Sequence, residues 1–152
     1  MKRIIIGSDH AGFKLKETLK SHLIKSGFKV SDIGTYSPQR CDYTQIAYSL
    51  AYQISLGKFD RGILICYTGI GNSIVANRLP GVRAALCYNI KAARLAREHN
   101  DSNILVLGVA FVRASLALQI VRVWLKTRFL GGRHKRRLNQ IRVIERHIKD
   151  SV

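Results

Sequence analysis

Five short apolar runs, separated by helical patterns, constrain this chain more than any other feature. The runs are typical of β-strands and occupy Arg3–Gly7, Phe28–Ile33, Arg61–Cys66, Arg83–Cys87 and Ile104–Leu107. The first, third and fifth are almost continuously apolar, as strands buried on both faces of a parallel sheet are. Six amphipathic stretches predict helices over Phe13–Ser26, Tyr43–Leu56, Asn72–Arg78, Ile90–His99, Arg113–Arg128 and Arg133–Lys149.

This alternation predicts an α/β protein with a five-stranded parallel sheet. We expect a single domain over residues 1–152, because no repeat, low-complexity tract or Pro/Ser-rich linker interrupts the chain. The last predicted helix has a narrow apolar stripe beneath many arginines, formed by Leu138, Ile141, Ile144 and Ile148. Such a helix packs on its own domain or reaches a partner subunit.

Composition excludes several classes of protein. With 47% hydrophobic residues and two prolines, the chain is not expected to be disordered. The longest apolar run, Ile104–Val112, is far shorter than the roughly 20 residues of a membrane helix. The N-terminus lacks the apolar core of a signal peptide, so we expect a cytoplasmic protein. Cys41, Cys66 and Cys87 are odd in number and far apart, which predicts neither a disulfide framework nor a metal site.

Positive charge is the strongest compositional signal. The chain has 26 Lys+Arg and 9 Asp+Glu, a formal net charge of +17, and more than half of the excess lies in residues 111–152. A nucleic-acid surface and a site for small anions such as phosphates both fit this charge. The chain shows no recognised nucleic-acid module and its tyrosines are scattered, which makes nucleic acid the weaker alternative.

The segment from Cys66 to Ser73 carries the most chemical information. It reads Cys-Tyr-Thr-Gly-Ile-Gly-Asn-Ser, so a cysteine ends an apolar strand and a glycine-bearing turn leads into a helix. Backbone N–H groups at a helix N-terminus bind anions, lower the pKa of a thiol and stabilise an oxyanion beside it. The alternative is a buried core cysteine with glycines that only shape the turn. A dinucleotide site is disfavoured, because the third glycine and the acidic residue of that motif are missing.

Three further polar clusters are candidates for a site. Asp9 and His10 follow the first strand, where parallel sheets bind ligands, although Asp9 also suits a helix cap. His99 ends the fourth predicted helix, where it interacts with the helix dipole or transfers protons near neutral pH. Arg133 and Arg137 project from one face of the last helix, which suits a phosphate or merely a solvated surface.

Together these segments closely resemble the ribose-5-phosphate isomerase type B family, which includes the subunits of galactose-6-phosphate isomerase. The matching stretches occur in the family's order over essentially the whole chain: GSDHAG at Gly7–Gly12, CDYTQIA at Cys41–Ala47, CYTGIGNSIVANR at Cys66–Arg78, GVRAALC at Gly81–Cys87, REHNDSNILVLG at Arg97–Gly108 and GGRHKRR at Gly131–Arg137. The resemblance implies a Rossmann-like three-layer sandwich with an extended C-terminal helix. It also implies a homodimer, or a tetramer of such dimers, whose active sites contain residues of both subunits and need no metal or cofactor.

The implied reaction is the interconversion of ribose 5-phosphate and ribulose 5-phosphate, with a six-carbon sugar 6-phosphate as the alternative substrate. By resemblance, Cys66 is the base that moves a proton between the first two sugar carbons, Thr68 lies beside them, and His99 opens the furanose ring. A glutamate base of another family branch has no counterpart here. The implied substrate contacts are Asp9, His10, Asp42, Tyr43, Tyr67, Gly69, Ile70, Gly71, Asn100, Arg133 and Arg137, the last two on the phosphate.

Three positions depart from the family's usual pattern. Tyr67 stands directly after the expected base, where glycine is usual, and adds bulk to the site. Thr44 and Gln45 replace a proline and an acidic residue, and Ala110 replaces an arginine. These changes bear on the substrate and the catalytic strength more than on the fold.

Overall fold

A computed structural model describes residues 3–152, which form five strands and six helices. The strands are β1 (Arg3–Ser8), β2 (Lys29–Asp32), β3 (Arg61–Cys66), β4 (Ala84–Leu86) and β5 (Ile104–Gly108). The helices are α1 (Phe13–Lys25), α2 (Tyr43–Ser55), α3 (Ile70–Ala76), α4 (Ile90–Glu98), α5 (Ala114–Lys126) and α6 (Arg133–Asp150).

All strands are parallel and lie in the order β2-β1-β3-β5-β4. The register pairs Gly62 with Ile104 at the start of β3 and Cys66 with Gly108 at its end. The central strands β1, β3 and β5 are the three that the sequence predicts to be buried on both faces. Their residues from Ile4 to Ser8, from Gly62 to Cys66 and from Ile104 to Gly108 are indeed buried.

Helices cover both faces of the sheet and confirm the predicted three-layer sandwich. Because side chains alternate along a strand, Ile4 and Ile6 face α1, α4 and α5, whereas Ile5 faces α2 and α3. On α1 the predicted four-residue spacing of Leu15, Leu19 and Leu23 puts all three into the first of these cores. The two cores hold the sheet rigid, so that the loops at its edges are positioned by well-packed elements.

The main differences between the predicted and the observed element ends are at the two edge strands and at the start of α3. β2 and β4 are shorter than predicted, because they are the edge strands and pair on one side only. α3 begins at Ile70 rather than Asn72. Gly69 is its N-cap in the left-handed region, with φ of +80°, so the helix starts directly after this glycine.

Helix α6 runs across the amino edge of the sheet. The Leu130 N–H donates to the Glu98 carbonyl at the end of α4, and the Gly81 N–H before β4 donates to the Glu145 carboxylate. Of the predicted apolar stripe, Leu138 is buried, but Ile144 and Ile148 are 56% and 61% exposed. The apolar stripe of α6 is therefore buried on its own chain only near the N-terminus of the helix, although Glu145 still reaches the Gly81 backbone. None of the helices in residues 3–152 is long and apolar enough to cross a membrane.

Candidate active site

The carboxyl edge of the sheet has a crevice between β1 and β3. The loop after β1 leads toward β2 on one side of the sheet, whereas the loop after β3 leads toward β4 on the other side. The two loops therefore diverge at the carboxyl ends of β1 and β3. Open parallel sheets bind ligands at such a point. Asp9 directly follows β1, its N–H donates to the Ile65 carbonyl of β3, and Cys66 ends β3.

A pocket of about 380 Å³ opens in this crevice. It brings together predicted site residues from three separate segments, with Ile74 as an unpredicted addition. Its lining is Asp9, Tyr43, Cys66, Tyr67, Thr68, Ile70, Gly71 and Ile74. Gly71 is needed here for space, since a Cβ at this position would overlap the ring of Tyr43. The pocket is large enough for a small phosphorylated metabolite.

The Cys66 sulfur is held in the turn that follows β3. Cys66 is 4% exposed, and the Gly69 N–H donates to its Sγ at 3.1 Å. Burial raises the pKa of the Cys66 thiol, and the nearby Asp9 carboxylate adds to this effect. Backbone N–H groups of the turn, led by that of Gly69, oppose the rise without cancelling it. The sequence-based expectation of a lowered thiol pKa is therefore wrong for the free protein, because desolvation outweighs the helix N-terminus.

The turn Tyr67–Gly71 is supported from below by β5. Gly108 pairs with Cys66, and a Cβ on Gly108 would overlap the carbonyl group of Thr68. The Thr68 Oγ1 accepts a hydrogen bond from the Ile70 N–H at 3.2 Å. A residue larger than glycine at position 108 would thus push the loop away from the sulfur.

We expect Gly108→Ala to lower both stability and activity. The added methyl group meets backbone rather than a flexible side chain, so we expect a loss of about 3 kcal/mol in the free energy of unfolding. Thermal and urea unfolding measure this loss. The control is Gly57→Ala, where φ is +69° and the new Cβ meets nothing; it should cost about 1 kcal/mol and leave turnover intact. Full turnover of Gly108→Ala would contradict the role given to this glycine.

The loops after β1 and β2 form the other wall of the site. The Asp9 carboxylate accepts a hydrogen bond from the Gly12 N–H at 3.1 Å, so it closes the turn before α1. It does not cap the helix as the alternative interpretation predicts, because the N-cap residue is Gly12 and no side chain caps it. His10 Nδ1 lies 3.2 Å from the Cys41 nitrogen and 3.1 Å from its carbonyl oxygen. His10 thereby ties the loop before α2 to the loop after β1. Asp42 is the exposed N-cap residue of α2, beside the pocket wall that Tyr43 forms.

Two departures from the family's pattern lie at the mouth of the pocket. Tyr67 is 63% exposed, and its φ is not positive, so its backbone conformation does not require glycine. Its carbonyl accepts a hydrogen bond from the Ala110 N–H at 2.8 Å. Ala110 is itself exposed, and Phe111 beside it packs on Tyr88 with ring centroids 4.6 Å apart. Aromatic side chains thus border the edge where the family usually has glycine and arginine.

The remaining predicted site residues lie at the opposite, amino edge of the sheet. His99 follows α4 and precedes β5, and Asn100 lines a separate pocket of about 430 Å³ against α6. Arg133 and Arg137 are exposed on the first turns of α6. Four residue steps along β3, from Gly62 to Cys66, separate the two edges, which amounts to roughly 13 Å. The predicted site residues of one chain therefore form two separate groups, the predicted half-sites, at different edges of the sheet.

Comparisons with known proteins agree with the architecture and the motifs. Residues 4–141 match the family described as Ribose/Galactose Isomerase. The chain belongs to the ribose/galactose isomerase family. It is 45% identical over 145 residues to ribose-5-phosphate isomerase B of Escherichia coli (strain K12), covering 95% of this chain and 97% of that protein. Membership in the family makes the chain an isomerase.

Solved structures of the family superpose closely on this chain. The Clostridium thermocellum ribose-5-phosphate isomerase B has a TM-score of 0.94 and 48% identity, with 96% of this chain and 99% of that chain covered. The Mycoplasma genitalium ribose-5-phosphate isomerase B with bound ribulose-5-phosphate has a TM-score of 0.91 and 41% identity, with coverage of 95% and 96%. The Rossmann-like fold expected of an isomerase family member is thereby confirmed.

Sequence reasoning missed three residues at these edges, namely Asn72, Ile74 and His134. Asn72 is buried near Cys66, and within residues 3–152 its Nδ2 has no hydrogen-bond partner. His134 lies against His99, although the sequence analysis singled out only its arginine neighbours. Ile74 could have been found, because it lies four residues after Ile70 and so shares a helix face with it. No sequence signal marks the burial of Asn72 or His134.

Proposed function

We propose that this chain interconverts ribose 5-phosphate and ribulose 5-phosphate, with Cys66 as the base. One observation carries the proposal: a cysteine at the end of β3 lies in the crevice pocket with a backbone N–H on its sulfur. The thiolate takes the C2 proton of the open-chain aldose, and the electron pair moves onto the C1 carbonyl oxygen. The thiol then gives a proton to C1 of the cis-enediolate, while the proton of the C2 hydroxyl passes to the C1 oxygen, which gives the ketose.

The loop Tyr67–Gly71 supplies the polar surroundings that this step needs. A C–H proton next to a carbonyl is weakly acidic, so a base and preorganised N–H donors must act together. Burial raises the pKa of the Cys66 thiol and so lowers its thiolate fraction in the free protein, whereas the backbone N–H groups of this loop favour the thiolate. Asp9, Tyr43 and Thr68 complete the wall around the reacting carbons.

We infer that each active site is completed by a second copy of the chain. Among residues 3–152, no arginine lines the Cys66 pocket, whereas the phosphate of the substrate needs cations. His99, Asn100, Arg133 and Arg137 lie at the amino edge and are too far from the Cys66 of their own chain. In a two-fold symmetric dimer the same two surfaces meet twice, so both half-sites are completed at once.

Exposed apolar side chains lie beside both half-sites and support this dimer. Around the pocket and on α2 they include Tyr48, Tyr52, Ile70 and Ile74; on α6 they are Ile141, Ile144 and Ile148. Tyr48 and Tyr52 stack on one another with centroids 5.8 Å apart. Burying such surfaces against a second copy removes apolar area from water. We propose that the whole chain acts as one isomerase domain in a reducing, cytoplasmic environment, which keeps its three free cysteines available.

A substrate panel tests the proposed activity. Purified protein is assayed for ketose formation from ribose 5-phosphate, allose 6-phosphate and galactose 6-phosphate, and we expect the highest kcat/KM with ribose 5-phosphate. A higher value with a six-carbon sugar would replace the substrate and keep the mechanism. No turnover of any sugar phosphate at high protein concentration would overturn the function.

Arg137→Ala should mainly weaken substrate binding. A charge-assisted hydrogen bond contributes about 1.5–3 kcal/mol, so we expect KM for ribose 5-phosphate to rise about 10- to 100-fold while kcat changes little. Steady-state kinetics measure both values. Arg136→Ala removes the neighbouring exposed guanidinium of the same helix and should leave KM unchanged. Equal effects of the two variants would reduce the role of Arg137 to general surface charge.

A further inference from the structure

Two histidines from different helices stack on each other at the amino edge. The rings of His99 and His134 have centroids 4.2 Å apart and planes inclined by only 11°. His99 is the C-cap residue of α4, and His134 lies in the first turn of α6. His134 is 7% exposed, although its neighbours Arg133 and Lys135 are exposed. The chain thus turns one polar ring inward in a first helical turn that is otherwise exposed.

Backbone hydrogen bonds hold the segment before α6 against the end of α4. The Leu130 N–H donates to the Glu98 carbonyl at 3.1 Å, which ties this segment to the residue before His99. Gly131 and Gly132 then adopt φ values of +70° and +55°, which reverse the chain into α6. The His134 N–H closes the turn by donating to the Gly131 carbonyl at 3.1 Å. His134 therefore reaches His99 through a short, hydrogen-bonded path.

The charges around His134 favour its neutral form. Loss of hydration lowers the pKa of His134, and the nearby His99, Arg133 and Arg137 lower it further. The Glu98 carboxylate on α4 is the opposing influence, and it does not reverse the shift. These influences favour an uncharged flat ring at position 134 over another cation beside the arginines. Such a ring can lie face to face with His99 without repelling it when His99 carries a proton.

We propose that His134 is a positioning residue that holds the His99 ring in the plane required for opening the sugar ring. The inference rests on the proposed role of His99 as the group that transfers a proton to the furanose oxygen. An imidazole at a helix end turns broadly about its terminal torsion, and proton transfer requires a donor–acceptor distance of about 2.6–3.2 Å. The stack restricts that rotation, and His99 is only half-buried, so part of its ring stays accessible from outside the chain.

The two sugar phosphates differ in their need for this step. Ribose 5-phosphate is mainly a furanose, so its ring oxygen must gain a proton, and its C1 hydroxyl must lose one, before C2 can react. Ribulose 5-phosphate has no furanose form, because the oxygen that would close the ring carries the phosphate. Removal of its C1 proton by Cys66 places the electron pair on the C2 carbonyl oxygen and needs no ring opening. In D2O, return of a deuteron to C1 records this half of the reaction alone.

The experiment compares these two rates in His134→Ala, His134→Phe and the matched control Lys135→Ala. Turnover of ribose 5-phosphate is measured by ketose formation, and deuterium exchange at C1 of ribulose 5-phosphate is measured by proton NMR. We expect His134→Ala to lower kcat for ribose 5-phosphate about 10- to 100-fold and to leave the exchange rate unchanged. His134→Phe keeps a flat ring against His99 and should restore most of the lost kcat. Lys135→Ala should match the wild type in both assays.

Several results would overturn the inference. An equal fall of both rates in His134→Ala would mean that His134 only supports the fold or the phosphate arginines. Unchanged turnover in His134→Ala would mean that His99 needs no support. If the alanine variant does not fold, a His134→Phe variant with normal exchange and full loss of ribose 5-phosphate turnover would also exclude the stacking role. Absence of both turnover and exchange in the wild type would overturn the proposed function itself, and this inference with it.

Discussion

Cys66→Ala is expected to abolish isomerisation and to leave binding of the substrate nearly intact. The thiolate is the proposed acceptor of the carbon-bound proton, and a general base contributes about 10²- to 10⁴-fold to a rate, so kcat should fall by about 10³-fold. Binding depends instead on the proposed phosphate contacts at the amino edge of the second copy. Because the variant turns over only slowly, ribose 5-phosphate itself can be titrated by calorimetry, and its Kd should stay close to the wild-type KM.

Cys87→Ala is the matched control for this prediction. Cys87 is buried like Cys66 and lies directly after β4, as Cys66 lies at the end of β3. Burial raises the pKa of its thiol to about 11. It lies in the core formed with α1, α4 and α5, away from the crevice pocket. We therefore expect Cys87→Ala to reduce stability with little change in kcat. If Cys66→Ala retained most of its kcat, another base would have to carry the reaction.

Mixing two inactive variants is expected to restore activity if the site is shared. Cys66→Ala and His99→Asn disable opposite half-sites, so each homodimer is inactive in ring opening or in proton transfer at both of its sites. A mixed dimer combines both substitutions in one site and leaves the other site with its own Cys66 and His99. Random pairing makes half of the dimers mixed, which predicts about one quarter of wild-type turnover of ribose 5-phosphate.

The measurement requires that subunits exchange or are produced together. Co-expression with two different affinity tags allows the mixed dimer to be purified through both tags, and its turnover is compared with that of each homodimer. A sample that combines Cys66→Ala with the double variant Cys66→Ala/His99→Asn is the control, because no intact site can form in it. Failure of the purified mixed dimer to turn over ribose 5-phosphate would place Cys66 and His99 in the same subunit's site, against the sharing proposed above.

Local features of this protein followed well from its sequence. The four-residue spacing of Leu15, Leu19 and Leu23 predicted the buried face of α1, because helical periodicity repeats along the chain itself. Continuous apolar runs likewise predicted β3 and β5 as buried central strands. The glycine-bearing turn after Cys66 was predicted on the same local ground. Only its first helical residue was misplaced, because the positive φ of Gly69 ends the turn earlier than composition indicates.

Features that depend on contacts between distant segments of the chain could not be predicted from these local patterns. The pKa of the Cys66 thiol rises rather than falls, because burial by surrounding segments outweighs the local N–H groups that the sequence reveals. The sequence also did not show that the motifs containing Cys66 and His99 lie at opposite edges of the sheet, because the order of motifs along a chain does not give the distance between them.

By itself, then, the sequence determined the elements, the faces they bury and the residues able to do the chemistry, because each depends on local periodicity or side-chain type. The tertiary structure alone decided where those residues lie. Parallel strands begin at one edge and end at the other, so Cys66 lies at the carboxyl edge, and His99, stacked on His134, lies at the amino edge. That separation is why one chain carries two half-sites, and why we propose that a second copy completes each of them.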